Sequence, residues 1–549
     1  MCDCGCDKTA PKGTYYITTP IYYVNAAPHL GTAYSTIVAD VQARFRRMDG
    51  YDTVFLTGVD EHGQKVADSA AAHDMTPQQW CDSQAPAFQE LWRELEITND
   101  DFIRTTQPRH EKAVQHFWEV LKEKGYIYKG TYEGWYCVPE ETFFTETDVR
   151  HANTDEDGNY DETAVPLCPD CKRPLERIQE ESWFFKLSEF QQPLLDFYAA
   201  HPDFIEPEIR RNEVVSFVEG GLKDLSVTRT TFDWGIPLPF DPKHVTYVWF
   251  DALINYITAV GYGEDTAEAA ERLQRFWPAQ QHIVGKDIIR FHCVIWPAML
   301  MAAGLPVTEH VLAHGFLLVK NPETGKGEKM SKSRGNSIFP RQVIDFLGVE
   351  GYRYYFMCDV AHGSDGAISF ERMAQVYNAD LANSWGNLVS RSLNMSAKYF
   401  EGASPVRAAD WATRTSPLSQ AAEGLYGRYA SKMAVFDYQG AAKDVMEFVA
   451  AANLYIENMA PWALAKDPEK ADELGFVIWG LIEAIRIAAT LLAPFTPATS
   501  DEVMRRIGLE GWQCTDLQAA CAWGQFEGGK PVEKGEALFP RLDMANLPC

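Results

Sequence analysis

Tyr15-Tyr16-Ile17-Thr18-Thr19, followed a short way on by Pro28-His29-Leu30-Gly31-Thr32, is the stretch that decides the fold. The first segment is apolar and β-branched, the composition of a strand buried on both faces. The second opens a helix that carries Ile37, Val38, Val41 and Phe45 on one face and ends at Arg46, Arg47 and Gly50. A strand feeding a helix through a short connection is the unit of a doubly wound, Rossmann-type parallel sheet. Helix N-termini present unpaired N–H groups and the positive end of a dipole, so they attract phosphates. His29 at such a position can donate to a phosphate oxygen, and Gly31 lets a ligand approach the backbone. Alone the segment is a weak signal, because a histidine near a helix start is more often structural.

A second segment changes that balance. Lys329-Met330-Ser331-Lys332-Ser333 is followed by Arg334-Gly335-Asn336. Two lysines alternating with small hydroxyls form a cationic arm able to neutralise phosphate, and Gly335 lets it move. Most Lys/Ser runs are ordinary solvated loops. This string, however, would arise by chance in only about one of several thousand chains of this length. Together the two segments resemble the paired signatures of the class I aminoacyl-tRNA synthetases. The first signature is usually His-x-Gly-His. Here Thr32 takes the fourth place, with a hydroxyl that can donate but carries no charge.

Composition bounds the rest. A chain of 549 residues predicts three or four domains, and 13% aromatic with 23% charged residues predicts a compact enzyme-like body. Residues 1–13 contain no apolar signal segment, and the apolar stretch 476–495 is interrupted by Glu483 and Arg486 at helical spacing. The expectation is a soluble, cytoplasmic protein with no membrane contact. Twelve cysteines without a regular framework fit reduced thiols. The net charge of −27 argues against a broad nucleic-acid surface. It leaves room for a local one, and Lys320, Lys326, Lys329, Lys332, Arg334, Arg341 and Arg353 cluster within 320–353.

Periodicity divides the chain. Residues 1–13, with Cys2, Cys4 and Cys6, are expected to form a flexible extension, with an N-terminal metal site as the alternative. Residues 14–125 are the first half of the Rossmann domain, and 126–240 are a loop-rich, aromatic insertion. Residues 241–320 are its second half, with strands expected at His244–Phe250, His282–Val284 and His310–Leu312. Residues 321–375 hold the lysine loop, and 376–549 have the period of a helical bundle.

Several segments resemble one branch of the class, the methionyl-tRNA synthetases. They are Thr19–Asn25, Thr57–Gly63, Tyr247–Ala252, Gly285–His292 and Ala460-Pro461-Trp462, and the likeness runs from about residue 14 to 540. The insertion, on the order of 100 residues, leaves no room for a large editing domain. The resemblance implies a ligase that activates methionine with ATP and Mg²⁺ and passes the methionyl group to tRNA(Met). It implies catalytic His29, Thr32, Lys329 and Lys332. ATP would lie at His29, Gly31, Gly285, Asp287, His314, Gly315 and Lys332. Methionine would lie against Asp60, the anion for its ammonium, among Ile21, Tyr23, Trp249, Ala252, Leu253, Tyr256, Ile288 and His292, whose aromatic edges suit sulfur. Asn387, Arg391 and Trp462 would read the anticodon by stacking and base-edge hydrogen bonds.

Each of these has a plainer reading. Trp249 and Tyr256 are ordinary core aromatics, Asp287 is a helix cap, and Trp462 is a core anchor. Cys168-Pro169-Asp170-Cys171 has Zn²⁺-knuckle spacing, and Cys137 and Glu140 stand where members have a second pair. The set can bind Zn²⁺ or pack as a metal-free knuckle. The chain lacks the C-terminal appendix of some members, which implies a monomer. The alternatives are another class I synthetase without an editing domain, a nucleotidyltransferase outside the synthetases, and a non-catalytic relative. A nucleotidyltransferase would need no helical C-terminal region.

Overall fold

The computed structural model describes residues 10–138, 142–144, 146–154, 160–161, 164–169, 171–321, 324–330 and 336–548. Among them, six strands form one parallel sheet: β1 (Thr14–Tyr23), β2 (Asp52–Asp60), β3 (Asp101–Arg104), β4 (Ile205–Glu206), β5 (Gln281–Gly285) and β6 (His310–His314). Their order is β3-β2-β1-β5-β6-β4. The chain winds outward from β1 on one side, then returns to β5 on the other. The crevice between β1 and β5 is therefore the topological switch point where such sheets bind ligands at their carboxyl ends.

β1 runs on past the expected Thr19. Pro20 supplies no N–H to the ladder, and the pairing with β2 shifts register between Thr18 and Ile21. The bulge lets the strand reach Tyr23, which lies opposite Asp60. Helix α1 (Leu30–Met48) buries Ile37, Val38, Val41 and Phe45 as its spacing predicts.

The strand expected at His244–Phe250 is corrected. A strand covers Asp241–Thr246, but it belongs to a small antiparallel sheet with Thr228–Arg229 and Pro237–Leu238. After Tyr247 the chain turns into a short helix, Val248–Ala252. Apolar runs this short do not distinguish strand from buried helix. The insertion is also less loop-rich than expected. Ile127–Cys137 and Glu176–Phe185 pair along their length, helices Gln191–Ala200 and Glu208–Glu219 follow, and the edge strand β4 joins the central sheet from here.

The C-terminal region is helical. α2 (Pro340–Cys358) leads from the sheet to α3 (Asn387–Tyr399), α4 (Tyr438–Met459) and α5 (Ala471–Leu492). α5 lies within the segment Pro468–Leu492, which by length and composition could cross a membrane, but its apolar window is wholly buried inside the protein. A buried ionic pair, Arg486 with Glu483 at 2.7 Å, ties it to the C-terminal segment. Glu483 accepts from the backbone N–H groups of Gly524, Gln525 and Phe526, while Arg486 donates to Ala522 and Ala520. A buried pair with its remaining hydrogen-bonding capacity used is a structural staple. The helices seat on α1. Arg353 donates to Asp40, whose carboxyl is brought down to about 2 because Arg44 and Arg353 overcome the cost of burial. Tyr438 donates to the Val38 carbonyl. Cys81, Cys171, Cys293, Cys358, Cys514 and Cys521 carry free thiols.

Candidate active site

The signature segment caps its own helix. His29 is the N-cap of α1, and its Nδ1 accepts the Thr32 N–H at 3.3 Å, while Thr32 Oγ1 accepts the His29 N–H at 3.2 Å. This is a reciprocal capping box built from the motif itself. It gives Thr32, buried at 3% exposure, a role that a neutral hydroxyl can perform. With Nδ1 accepting, the proton of the neutral ring sits on Nε2. His29 is exposed. A Cβ on Gly31 would come within 3.1 Å of His29 Cε1, so glycine lets the ring fold back onto the helix. No acid occupies the first turn, and Arg46 and Arg47 lie in the last, which leaves the N-terminus open to anions.

The other predicted nucleotide residues lie at neighbouring strand ends. Gly285 ends β5 opposite His314, which ends β6. The buried His314 donates from Nδ1 to the Gly315 carbonyl and accepts from Ser35 of α1 at 2.7 Å through Nε2, since burial keeps the ring neutral. A Cβ on Gly315 would strike the Ser364 carbonyl. Asp287 is exposed and lies within the short helix Lys286–Ile288, whose N-cap position is held by Gly285.

Lys329 ends a short strand, Gly327–Lys329, paired with Leu317–Lys320, rather than lying in open loop. Its ammonium stands 5.1 Å from the centre of the Phe316 ring, and that of Lys286 stands 4.5 Å from it. Lys332 lies outside the described residues, as do Ser331, Ser333, Arg334 and Gly335.

The predicted methionine residues converge. Asp60, 3% exposed at the end of β2, accepts from Thr105 at 3.5 Å. Tyr23 meets Trp249 edge-on at 6.4 Å. Ile21, Tyr23, Trp249 and Ile288 are partly buried against one core with Leu253 and Tyr256, and Ala252 is 4% exposed. His292 sits in a π-helical turn, donating from Nδ1 to the Ile288 carbonyl, so its Nε2 accepts the Tyr256 hydroxyl at 2.7 Å. Burial pushes its pKa down to about 4, so it stays neutral near pH 7. Two groups are absent from the sequence-based list. Phe291 stacks on Trp249 at 3.9 Å, and Asp251 is gripped by two histidines. Both lie inside segments quoted for the family, where adjacency to Trp249 and His292 was the available signal.

Two further groups lie elsewhere. Asn387 and Arg391 share a face of α3 directed at α4. Asn387 donates to Asn453 at 3.3 Å, and Arg391 pairs with Glu457 at 2.6 Å. Trp462 follows five residues after Glu457, beyond Ala460 with a left-handed φ of 44°, and is 42% exposed. That exposure contradicts the core-anchor reading. In the insertion, the Sγ atoms of Cys137, Cys168 and Cys171 all lie within 4.8 Å of one another, and the Cys171 N–H points to Cys168 Sγ. Glu140, the fourth member of the predicted set, lies outside the described residues.

Comparison with known proteins gives one answer. The family model "tRNA synthetases class I (M)" matches residues 15–393, and "Anticodon binding domain of methionyl tRNA ligase" matches 406–547. The chain is 46% identical to the methionine–tRNA ligase of Thermotoga maritima, over 97% of this chain and 81% of the relative. It is 44% identical to that of Streptomyces coelicolor over 99% of both. It is similar, with a TM-score of 0.87 and 40% identity over 96% of this chain and all of the other, to Mycobacterium tuberculosis methionyl-tRNA synthetase in complex with methionyl-adenylate. The chain thus belongs to the methionyl-tRNA synthetase family, ATP-dependent class I ligases that join methionine to tRNA.

Proposed function

We propose that this ligase forms methionyl-adenylate at the β1/β5 switch point, with the residues named above in the following roles. The carboxylate of methionine attacks the α-phosphorus of ATP, supplied as its Mg²⁺ complex. Pyrophosphate leaves. A hydroxyl of the tRNA 3′ end then attacks the methionyl carbonyl and AMP leaves. The carboxylate is already ionised at neutral pH, so the protein supplies alignment and charge stabilisation. The observation that carries this reading is the self-capped, acid-free N-terminus of α1, which follows β1 of the switch point, together with the buried carboxylate of Asp60 at the end of β2.

His29 Nε2–H, the backbone at Gly31 and Thr32, and the lysines Lys329 and Lys332 bind the phosphates. Gly285 and Asp287 hold the ribose, and the backbone at His314-Gly315 lines adenine. Asp60 takes the methionine ammonium. Ile21, Tyr23, Trp249, Ala252, Leu253, Tyr256, Ile288 and His292 wall the side chain. Such walls discriminate weakly, about 1–3 kcal/mol per methylene, so norleucine is activated to a degree. The division at residues 125, 240, 320 and 375 and a cytoplasmic location belong to the same reading.

Anticodon reading falls to Asn387, Arg391 and Trp462. The exposure of Trp462 and the solvent-accessible Arg391–Glu457 pair support it. Trp462→Ala is expected to raise the tRNA KM about tenfold, since stacking one base is worth about 1–3 kcal/mol. Methionine-dependent ATP–pyrophosphate exchange and melting temperature should stay at wild-type values. Parallel loss of exchange and thermal stability would rule out base stacking.

The three converging thiols have the donor chemistry of a structural Zn²⁺ site. Cys137, Cys168 and Cys171 would hold the ion, which would cross-link the knuckle and take no part in catalysis. Elemental analysis of protein purified without chelator should find about one Zn²⁺ per chain, lost in Cys168→Ser. Metal-free wild-type protein would leave the knuckle as a hydrophobically packed turn.

A further inference from the structure

We propose that Asp251, clamped between His62 and His110, is a positioning residue that fixes the two sides of the methionine pocket relative to each other. The inference rests on the pocket reading above and assigns a role to groups outside the pocket's lining. Asp251 is wholly buried. His62 Nδ1 donates to its Oδ2 at 2.7 Å, and His110 Nε2 donates to its Oδ1 at 2.7 Å. Both histidines are themselves buried, at 4% and 0% exposure.

The placement of these groups is the substance of the inference. His62 stands two residues beyond Asp60, where β2 ends. Asp251 stands two residues beyond Trp249 and directly before Ala252, on the short helix Val248–Ala252. The His62–Asp251 bond therefore links the segment holding the ammonium's partner to the segment holding the thioether's wall. His110, on the helix Pro108–Glu123, supports the carboxylate from the core. His62 is in turn held edge-on against Trp234, 5.4 Å away, whose indole N–H donates to the Glu61 carbonyl. A buried carboxylate costs stability unless its oxygens are satisfied, and an apolar residue could fill the space more cheaply. What the carboxylate adds is direction: two short charge-assisted bonds fix a distance that packing alone leaves soft.

The bonding atoms give the test its sharpness. His62 donates through Nδ1, and an asparagine amide can occupy that position while leucine cannot. Full-length protein should be assayed by methionine-dependent ATP–pyrophosphate exchange. Asp251→Asn and His62→Leu are expected to raise the methionine KM about tenfold, with kcat and ATP KM within about threefold. They should also change the ratio of methionine to norleucine kcat/KM by about threefold or more. His62→Asn should restore most of the methionine KM and of that ratio. Wild-type methionine KM and norleucine ratio in both Asp251→Asn and His62→Leu would overturn the proposal. So would a joint fall of melting temperature, kcat and ATP affinity that His62→Asn does not relieve, since that describes a general core residue. If Asp251→Asn does not fold, the two His62 variants decide alone. Asp60→Asn in the same series keeps the two readings apart: an unchanged methionine KM there refutes the pocket itself, whereas a raised one with silent Asp251 and His62 variants refutes only the clamp.

Discussion

His29→Ala is expected to slow ATP–pyrophosphate exchange by about 10²–10³-fold while methionine affinity stays within about threefold. The ring has two separable tasks. Nδ1 accepts the N–H of Thr32 and so finishes the helix, and Nε2–H is the ring's remaining donor. Losing the cap costs about 0.5–2 kcal/mol of stability. Losing the outward donor removes an interaction that strengthens as charge develops on the phosphates, which lowers kcat rather than ground-state binding. His29→Asn separates the two. Asparagine is among the best N-caps, so melting temperature should return to the wild-type value, but its amide cannot reach outward from the same position and the rate should stay low. Wild-type exchange in His29→Asn would mean that capping was the whole role. Gly31→Ala should act in the same direction through geometry, because its methyl would crowd the His29 ring at 3.1 Å.

This pairing of roles also shows what the sequence could reveal. The strand–helix unit was legible because Tyr15–Thr19 is aromatic and β-branched and α1 carries its apolar residues at helical spacing. The continuation of β1 through Pro20 was not, since a proline ordinarily ends a strand and only the register shift against β2 accommodates it. Tyr247-Val248-Trp249-Phe250 read as a strand because four consecutive apolar residues carry no period; the chain instead turns into a short helix after Tyr247, with Trp249 left partly buried. Thr32 looked like a departure from a signature, and its meaning needed the backbone geometry of His29. Trp462 was legible only through family likeness. It lies exposed just beyond the left-handed turn at Ala460, which no local composition announces. The Asp251 clamp joins residues more than 140 positions apart, His110 among them, so spacing alone could not expose it.

Asp60→Asn is expected to weaken methionine binding about 10–100-fold near neutral pH, while ATP affinity stays within about twofold. The substitution keeps shape and removes charge. Asp60 is 3% exposed at the end of β2, so the ammonium it meets is largely stripped of water there. A hydrogen bond to a charged group contributes about 1.5–3 kcal/mol, and tenfold in affinity corresponds to about 1.4 kcal/mol. The asparagine amide can still accept from Thr105, as the carboxylate does at 3.5 Å, so the strand end should hold its position and melting temperature should change little. Calorimetry with substrate analogues assigns the loss to one atom. Methioninol keeps the ammonium and lacks the carboxylate, so it should lose as much affinity as methionine in the variant. The deaminated acid, 4-(methylthio)butanoate, never meets Asp60 as an ammonium, and its own negative charge is repelled by the wild-type carboxylate. Its affinity should therefore hold or rise in Asp60→Asn. Equal losses for all three ligands would show a distorted pocket, and wild-type methionine affinity would move the ammonium site away from Asp60 altogether.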